Sequence, residues 1–439
     1  MLERKIMQKL TEWKQSKNKK CLIIEGARQV GKTYIIREFG KRNYEKVVEI
    51  NFFEHPEYLE IFNSSLNGID IESQIRLRVL GAGDMNPENT LIFLDEIQEC
   101  PNAITALKFL TIDGRYDIIV SGSLLGIHYK EVSSYPVGYV EHLEMNSLDF
   151  EEFLWAIGIS KNSINDLKKY FDDLKEIPLS MHNAMLDYFK KYIVVGGMPE
   201  VVNAFIKDKN YNNVLKLQRD IIKKYEDDIQ KYASFNDKSK IRACFRSIPK
   251  NLAQDYKKFR YSLVEKNASS RKYASSLEWL YDAGIINFCY NLRIPELPLD
   301  GNSDSDTFKI YMKDTGLLVS MLEDGSQIDI LDGNLGIYKG AIYENIIADI
   351  FAKLGKKLYY FEKNSTLEID FFIRYEGEAT AVEVKSADNT KSKSLTSVYD
   401  NYNVKKGIKL STKNIGKNDK TLSIPLYMAM FLNNVNKND

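Results

Sequence analysis

Residues 26–33 read Gly-Ala-Arg-Gln-Val-Gly-Lys-Thr, which fits the pattern G-x-x-x-x-G-K-S/T. The run before it, Cys21-Leu22-Ile23-Ile24-Glu25, is short and apolar and reads as a buried strand that ends at Gly26. Lys32 to Phe39 reads as a helix closed by Gly40. A strand, a glycine loop and a helix in that order leave few folds open. The glycines let the loop curl so that backbone N–H groups converge on anionic oxygens, and the helix adds the positive end of its dipole. In such a loop Lys32 reaches the β- and γ-phosphates of a nucleotide and the Thr33 hydroxyl ligates Mg²⁺. Gly26, Ala27, Arg28, Gln29, Val30, Gly31, Lys32, Thr33 and Tyr34 are the candidate residues for holding ATP.

A second element belongs with the first. Leu91-Ile92-Phe93-Leu94 is continuously apolar and ends in Asp95-Glu96. A strand apolar on both faces lies in the middle of a parallel sheet. Asp95, with Thr33, is then placed to hold Mg²⁺, and Glu96 to polarise the attacking water as general base. Ser121 and Ser123 end the next strand, Asp117 to Val120, within reach of a γ-phosphate, although strand ends also carry Ser and Gly for turn reasons. Further strands are expected at Val47 to Phe53 and Val137 to Met145, with a helix over Ala103 to Leu110. The alternation predicts an α/β fold with a parallel sheet. Arg28, Arg37 and Arg115 are arginine-finger candidates by position only.

Composition excludes several classes. Lys plus Arg balance Asp plus Glu at 61 each, so the chain as a whole is not a polycation that coats nucleic acid. The four cysteines form no C-x-x-C pair and the four histidines are scattered, which argues against a disulfide scaffold or a zinc ribbon. The amphipathic N-terminus, with Leu2, Ile6, Leu10 and Trp13 on one face, lacks an apolar signal core. No run of about 18 apolar residues occurs, so no membrane span and a cytoplasmic location are expected.

From Asp149 to about Phe235 helical periodicity dominates, broken once at Val194 to Pro199. Between 238 and 272 eleven basic residues face two acidic ones, Asp255 and Glu265, with Tyr256, Phe259 and Tyr261 interleaved. Short helices followed by a strand pair at Gly284 to Tyr290 fit a winged helix, whose second helix enters the major groove of double-stranded DNA. A solvated face or an interdomain contact fits the same residues. Pro295 to Asp306 reads as a linker, and a last α/β unit begins near Gly333. There Glu344 lies on a helix near 339–354, while Asp370 and Glu383-Val384-Lys385 lie on strands. Glu383 and Lys385 share one face by strand alternation. Glu344, Asp370 and Glu383 with Lys385 are therefore either a Mg²⁺ site for phosphodiester hydrolysis or a routine cross-strand charge pattern.

The segments GARQVGKT (26–33), LDEIQ (94–98) and SGS (121–123) together resemble the prokaryotic AAA-type P-loop ATPases whose C-terminal half is a domain of unknown function, DUF4143. The resemblance continues through LDFEEFL (148–154), GGMPEV (196–201), Leu277 to Ile286, KDTGLL (313–318) and the C-terminal carboxylates. It implies an ASCE-type core over 1–148, a helical lid over 149–235, a winged helix over 236–320 and, over 330–439, a module similar to PD-(D/E)xK nucleases. Ile369, where that motif often has proline, is a departure. The implied activity is ATP hydrolysis, with ATP and Mg²⁺, that drives or switches a DNA- or protein-directed action. An ATP-gated DNA-binding regulator and an ATP-gated nuclease are the rivals. Double-stranded DNA through 238–272, a protein partner and a homo-oligomer are the implied partners.

Overall fold

The computed structural model describes residues 2–63, 65–122, 135–254, 258–334, 336–364, 366–385, 393–418 and 420–433. The chain divides into two compact units. The first comprises Arg4–Ser147 with Asp282–Gly284, and the second Met1–Glu3, Leu148–Tyr281 and Ile285–Asp439.

The first unit is built on five strands: β1 (Cys21–Glu25), β2 (Lys46–Asn51), β3 (Thr90–Asp95), β4 (Asp117–Gly122) and β5 (Val140–Glu144). All pair in parallel, in the order β2-β3-β4-β1-β5. Every residue of β3 is buried, as its unbroken apolar run requires of a central parallel strand. Burying each of Leu91, Ile92, Phe93 and Leu94 contributes roughly 1.5–3 kcal/mol. The helix Lys32–Asn43 presses on the sheet at Gly40, where a Cβ would stand 2.7 Å from the Val47 side chain. The helix Pro101–Asp113 starts on proline and stops at left-handed Gly114. The sequence pattern did not announce the helix Gly68–Arg78, because Ile71 and Ile75 face inward while Ile69 and Leu77 are exposed. β4 lies between β1 and β3, and this order brings the carboxyl ends of all three strands side by side.

The second unit corrects the division expected from the sequence. Its sheet has eight strands: β6 (Ile286–Leu292), β7 (Ser303–Met312), β8 (Leu358–Lys363), β9 (Leu367–Tyr375), β10 (Glu378–Val384), β11 (Lys406–Ser411), β12 (Gly416–Lys417) and β13 (Thr421–Pro425). They are ordered β12-β13-β11-β10-β9-β8-β6-β7. The strand pair expected as the wing of a separate domain is thus an edge of this sheet, with β6 parallel to β8. Residues 303–306, expected within a linker, open β7. The α/β unit therefore starts near Ile286 rather than near Gly333.

Nor do the helices over 148–281 stand apart as a lid. They are fastened to this sheet and its helices by a buried polar knot. Gly197 N donates to Asp314 Oδ2 at 2.8 Å, Leu148 N to Gly197 O at 2.7 Å and Tyr192 Oη to Leu148 O at 2.7 Å. Lys353 donates to Leu148 O and Tyr192 Oη at 3.1 Å each, and to Asp349 Oδ2 at 2.9 Å. Gly197 has no room for a side chain: a Cβ would run into the Leu148 carbonyl oxygen and lie 2.7 Å from Leu148 N. The segments GGMPEV and KDTGLL meet in this knot, so their glycines and Asp314 are explained by packing.

Candidate functional site

The site of the first unit lies at the carboxyl ends of β1, β3 and β4, the edge of an open α/β sheet where ligands bind. Gly26 leaves β1 beside Met145, and a Cβ there would strike the Met145 carbonyl. Gln29 (φ 67°) and Gly31 (φ 97°) take left-handed conformations that curl the loop back onto the helix at Lys32. Arg28 and Tyr34 are exposed, whereas Val30 is buried. The Lys32 ammonium donates to Gly26 O and Ala27 O, both at 2.8 Å, across the loop's own mouth.

Asp95 is buried and stands at the centre of four donors. Thr33 Oγ1 donates to its Oδ2 at 3.1 Å, Asn51 Nδ2 to the same oxygen at 3.3 Å, Glu96 N to Oδ1 at 3.1 Å, and Ser121 Oγ to Oδ1. Burial raises the Asp95 carboxyl above the ordinary aspartate range; the Ser121 and Thr33 hydroxyls oppose the shift and the Glu96 charge adds to it. Glu96 itself adopts a left-handed backbone, φ 54°, unusual for a residue with a side chain, and Gln98 Nε2 donates to its carboxylate. Lys32, Thr33, Asp95, Glu96 and Ser121 therefore converge. Ser123 lies outside the described residues.

Two further residues serve this site. Asn51 ends β2 as Asp95 ends β3, so a polar residue closing a strand was the available signal. Arg4 gave none, because it sits among other charges near the N-terminus. It is nonetheless buried, and its guanidinium donates to Val30 O at 3.2 Å and Asn146 O at 2.6 Å. Of the arginine-finger candidates, Arg37 pairs with Glu49 at 2.6 Å, and Arg115 is held by Glu72 and by Asp113 at 2.8 Å. Both serve the fold of this unit.

In the second unit each of the C-terminal carboxylates is tied to a protein group. Glu344, on the helix Lys339–Lys353, accepts from Tyr311 Oη at 3.1 Å. Asp370 Oδ2 accepts from Val384 N at 2.7 Å, and Glu383 is joined to Lys385. Among the described residues no group of three or more His, Cys, Asp and Glu is placed to hold a metal ion. Sequence reasoning missed Lys309, which is fully buried on β7. Burial works against its charge, but Glu344, Glu368 and Asp370 outweigh that and hold its pKa above the ordinary lysine range.

Among the described residues, three of the eleven cations of the basic segment are neutralised locally. Arg246 pairs with Glu226 at 2.6 Å, Lys240 with Asp237 at 3.0 Å and Lys272 with Glu265 at 3.2 Å. Phe259 is buried against Phe308, their ring centroids 6.0 Å apart, which removes it as a stacking surface. Lys250, Lys258, Arg260, Lys266 and Arg271 are exposed, while Asp255, Tyr256 and Lys257 lie outside the described residues.

Residues 18–154 match the AAA domain, and residues 339–428 match a domain of unknown function, DUF4143. The chain carries an AAA domain and a DUF4143 domain. Between them, residues 186–327 match another domain of unknown function, DUF8612. No curated protein matches the chain. Among solved structures it is similar to the Walker-type ATPase of Pyrococcus abyssi, at 12% identity and TM-score 0.43 over 73% of this chain and 96% of that one. It is also similar to the Orc1 protein of Aeropyrum pernix in complex with DNA, at 10% identity and TM-score 0.30 over 75% and 90%. The RuvB Holliday junction branch migration motor of Thermotoga maritima aligns at 13% identity and TM-score 0.29 over 65% and 89%. No helix of the described residues is long and apolar enough to cross a membrane.

Proposed function

We propose that the AAA domain binds ATP with Mg²⁺ and hydrolyses it, and that turnover drives or switches a DNA- or protein-directed action of the second unit. The observation that carries this is the meeting of Lys32, Thr33, Asp95 and Glu96 at the carboxyl ends of adjacent strands. Lys32 exchanges its two loop carbonyls for phosphate oxygens. The first turn of the helix Lys32–Asn43 adds its N–H groups and the positive end of its dipole to the same anion site. The hydroxyl of Thr33 and the carboxylate of Asp95, 3.1 Å apart, are hard oxygen donors of the kind Mg²⁺ selects. When bound, the ion neutralises charge on the phosphates. Ser121 and Asn51 orient Asp95. Glu96, held by Gln98, takes the proton of the attacking water.

The four cysteines are all buried and free, which supports a reducing, cytoplasmic setting. The exposed cations between 250 and 271 support duplex DNA as a candidate partner of the second unit.

One experiment addresses both parts: ATP turnover with and without duplex DNA, beside Glu96→Gln and Lys32→Ala. Loss of the base is expected to slow turnover by about 10²- to 10⁴-fold with ATP still bound. Lys32→Ala is expected to abolish tight ATP binding, and unchanged affinity there would sink the assignment. A Glu96-dependent rate that DNA raises favours a DNA-directed action. An indifferent rate leaves a protein as the partner.

A further inference from the structure

The fold suggested by the C-terminal motif implies a divalent metal among Glu344, Asp370 and Glu383. The residues present do not fit one. β6 and β7 run antiparallel with Cys289 opposite Lys309, and the Lys309 side chain, fully buried, turns toward the helix Lys339–Lys353 and β9. Its ammonium lies 2.6 Å from Glu368 Oε1, 3.7 Å from Glu344 Oε2 and 4.6 Å from the centre of the Tyr360 ring. Glu368 precedes Asp370 by two residues on β9, so both side chains leave the same face of that strand.

We propose that the Lys309 ammonium is the resident cation of this carboxylate cluster, standing where a divalent metal would stand, so that the C-terminal module holds no metal-dependent phosphodiesterase centre. One oxygen of each carboxylate is committed accordingly. Glu344 Oε2 faces the ammonium and accepts from Tyr311 Oη. Asp370 Oδ2 is spent on the backbone N–H of Val384, and Glu383 is paired with Lys385. A divalent ion inserted here would lie within a few ångströms of a charge that no solvent screens, and like charges that close in a buried site repel strongly. The ammonium is enclosed, since the Lys309 side chain has no exposed surface. The cluster is thereby turned from a reaction centre into a clamp joining β7, β9 and the helix Lys339–Lys353. The module is left to act as a scaffold or binding surface.

The test is Mn²⁺ binding to the full, nucleotide-free chain, followed by calorimetry and electron paramagnetic resonance. Wild type, Asp370→Asn and Glu344→Gln are expected to bind Mn²⁺ with the same stoichiometry and affinity, since any ion bound elsewhere is common to all three. Lys309→Met keeps the volume and removes the charge. It is expected to gain one Mn²⁺ that Glu344→Gln, combined with it, weakens by about tenfold or more. Wild-type Mn²⁺ binding that Asp370→Asn or Glu344→Gln abolishes would overturn the proposal. So would a folded Lys309→Met chain with no added ion. If Lys309→Met does not fold, the wild-type comparison decides alone.

Discussion

Arg4 offers a test of how the nucleotide loop is held from outside itself. Replacing it with methionine keeps the aliphatic stem and removes the guanidinium. The hydrogen bonds lost include one to Asn146 O at 2.6 Å and one to Val30 O at 3.2 Å. A hydrogen bond from a charged donor contributes about 1.5–3 kcal/mol. The short bond belongs near the top of that range and the long one near the bottom, because 3.2 Å is the far edge of good geometry. The effects do not add fully, since some of the freed carbonyl surface reaches water, so the expected loss is about 3 kcal/mol. In a unit of this size that lowers the melting temperature by roughly 6–12 °C. The share belonging to Val30, about 1.4 kcal/mol, is also the share that shapes the loop just before Gly31 and Lys32, and it corresponds to nucleotide binding weaker by about tenfold. Arg4→Lys keeps the charge without the planar fork and is expected to fall between the two. The assays are thermal unfolding with and without nucleotide, and direct titration of a fluorescent ATP analogue. A melting point within about 2 °C of wild type, with unchanged nucleotide affinity, would refute the idea that Arg4 braces the loop.

Two further expectations concern the second unit. Gly197→Ala places a methyl group against the Leu148 backbone, which cannot step aside, and is expected to cost about 3 kcal/mol or more by urea unfolding; a cost under about 1 kcal/mol would mean that the knot is looser than described. Burial pushes the Asp349 carboxyl up to about 7, with Lys353 opposing and Asp314 adding to the shift. The folded state therefore holds a proton that the unfolded chain releases near pH 4. Stability from this group is fully present below about pH 4 and is lost as pH rises from there through about 7, by a few kcal/mol at most. Asp349→Asn is expected to flatten the dependence of stability on pH between about 4 and 7, and parallel wild-type and variant curves there would contradict this.

The phosphate loop and Asp95-Glu96 were legible because each is a contiguous motif whose context, strand then loop then helix, is also local. The parallel sheet followed from unbroken apolar runs such as Leu91 to Leu94. What escaped was whatever depends on distant partners. Arg4 reads as one charge among several until Val30 and Asn146 are brought to it. Asp349 and Lys353 have the spacing of an exposed helical pair, yet both are buried. Lys309 follows a stretch that reads as a linker, and nothing local signals that β7 will be covered. The wing was misplaced for the same reason: two short strands announce a hairpin but not the third strand, β8, that one of them joins.

The polar knot also bears on the order in which the chain can become structured. Its members, Leu148, Tyr192, Gly197, Asp314 and Lys353, are spread across some two hundred residues of sequence. Loop closure over such separations must precede any gain from the contacts, which makes the second unit intrinsically slow to form. During synthesis the helices over 148–281 can make the bonds among Leu148, Tyr192 and Gly197, but those to Asp314 and Lys353 must wait for the later strands and helix. The phosphate-loop unit, whose sheet is complete by Glu144, can be assembled well before that. Termination of the chain between Glu144 and Lys353 would accordingly leave the phosphate-loop sheet complete but the helices over 148–281 without the bonds that Asp314 and Lys353 supply.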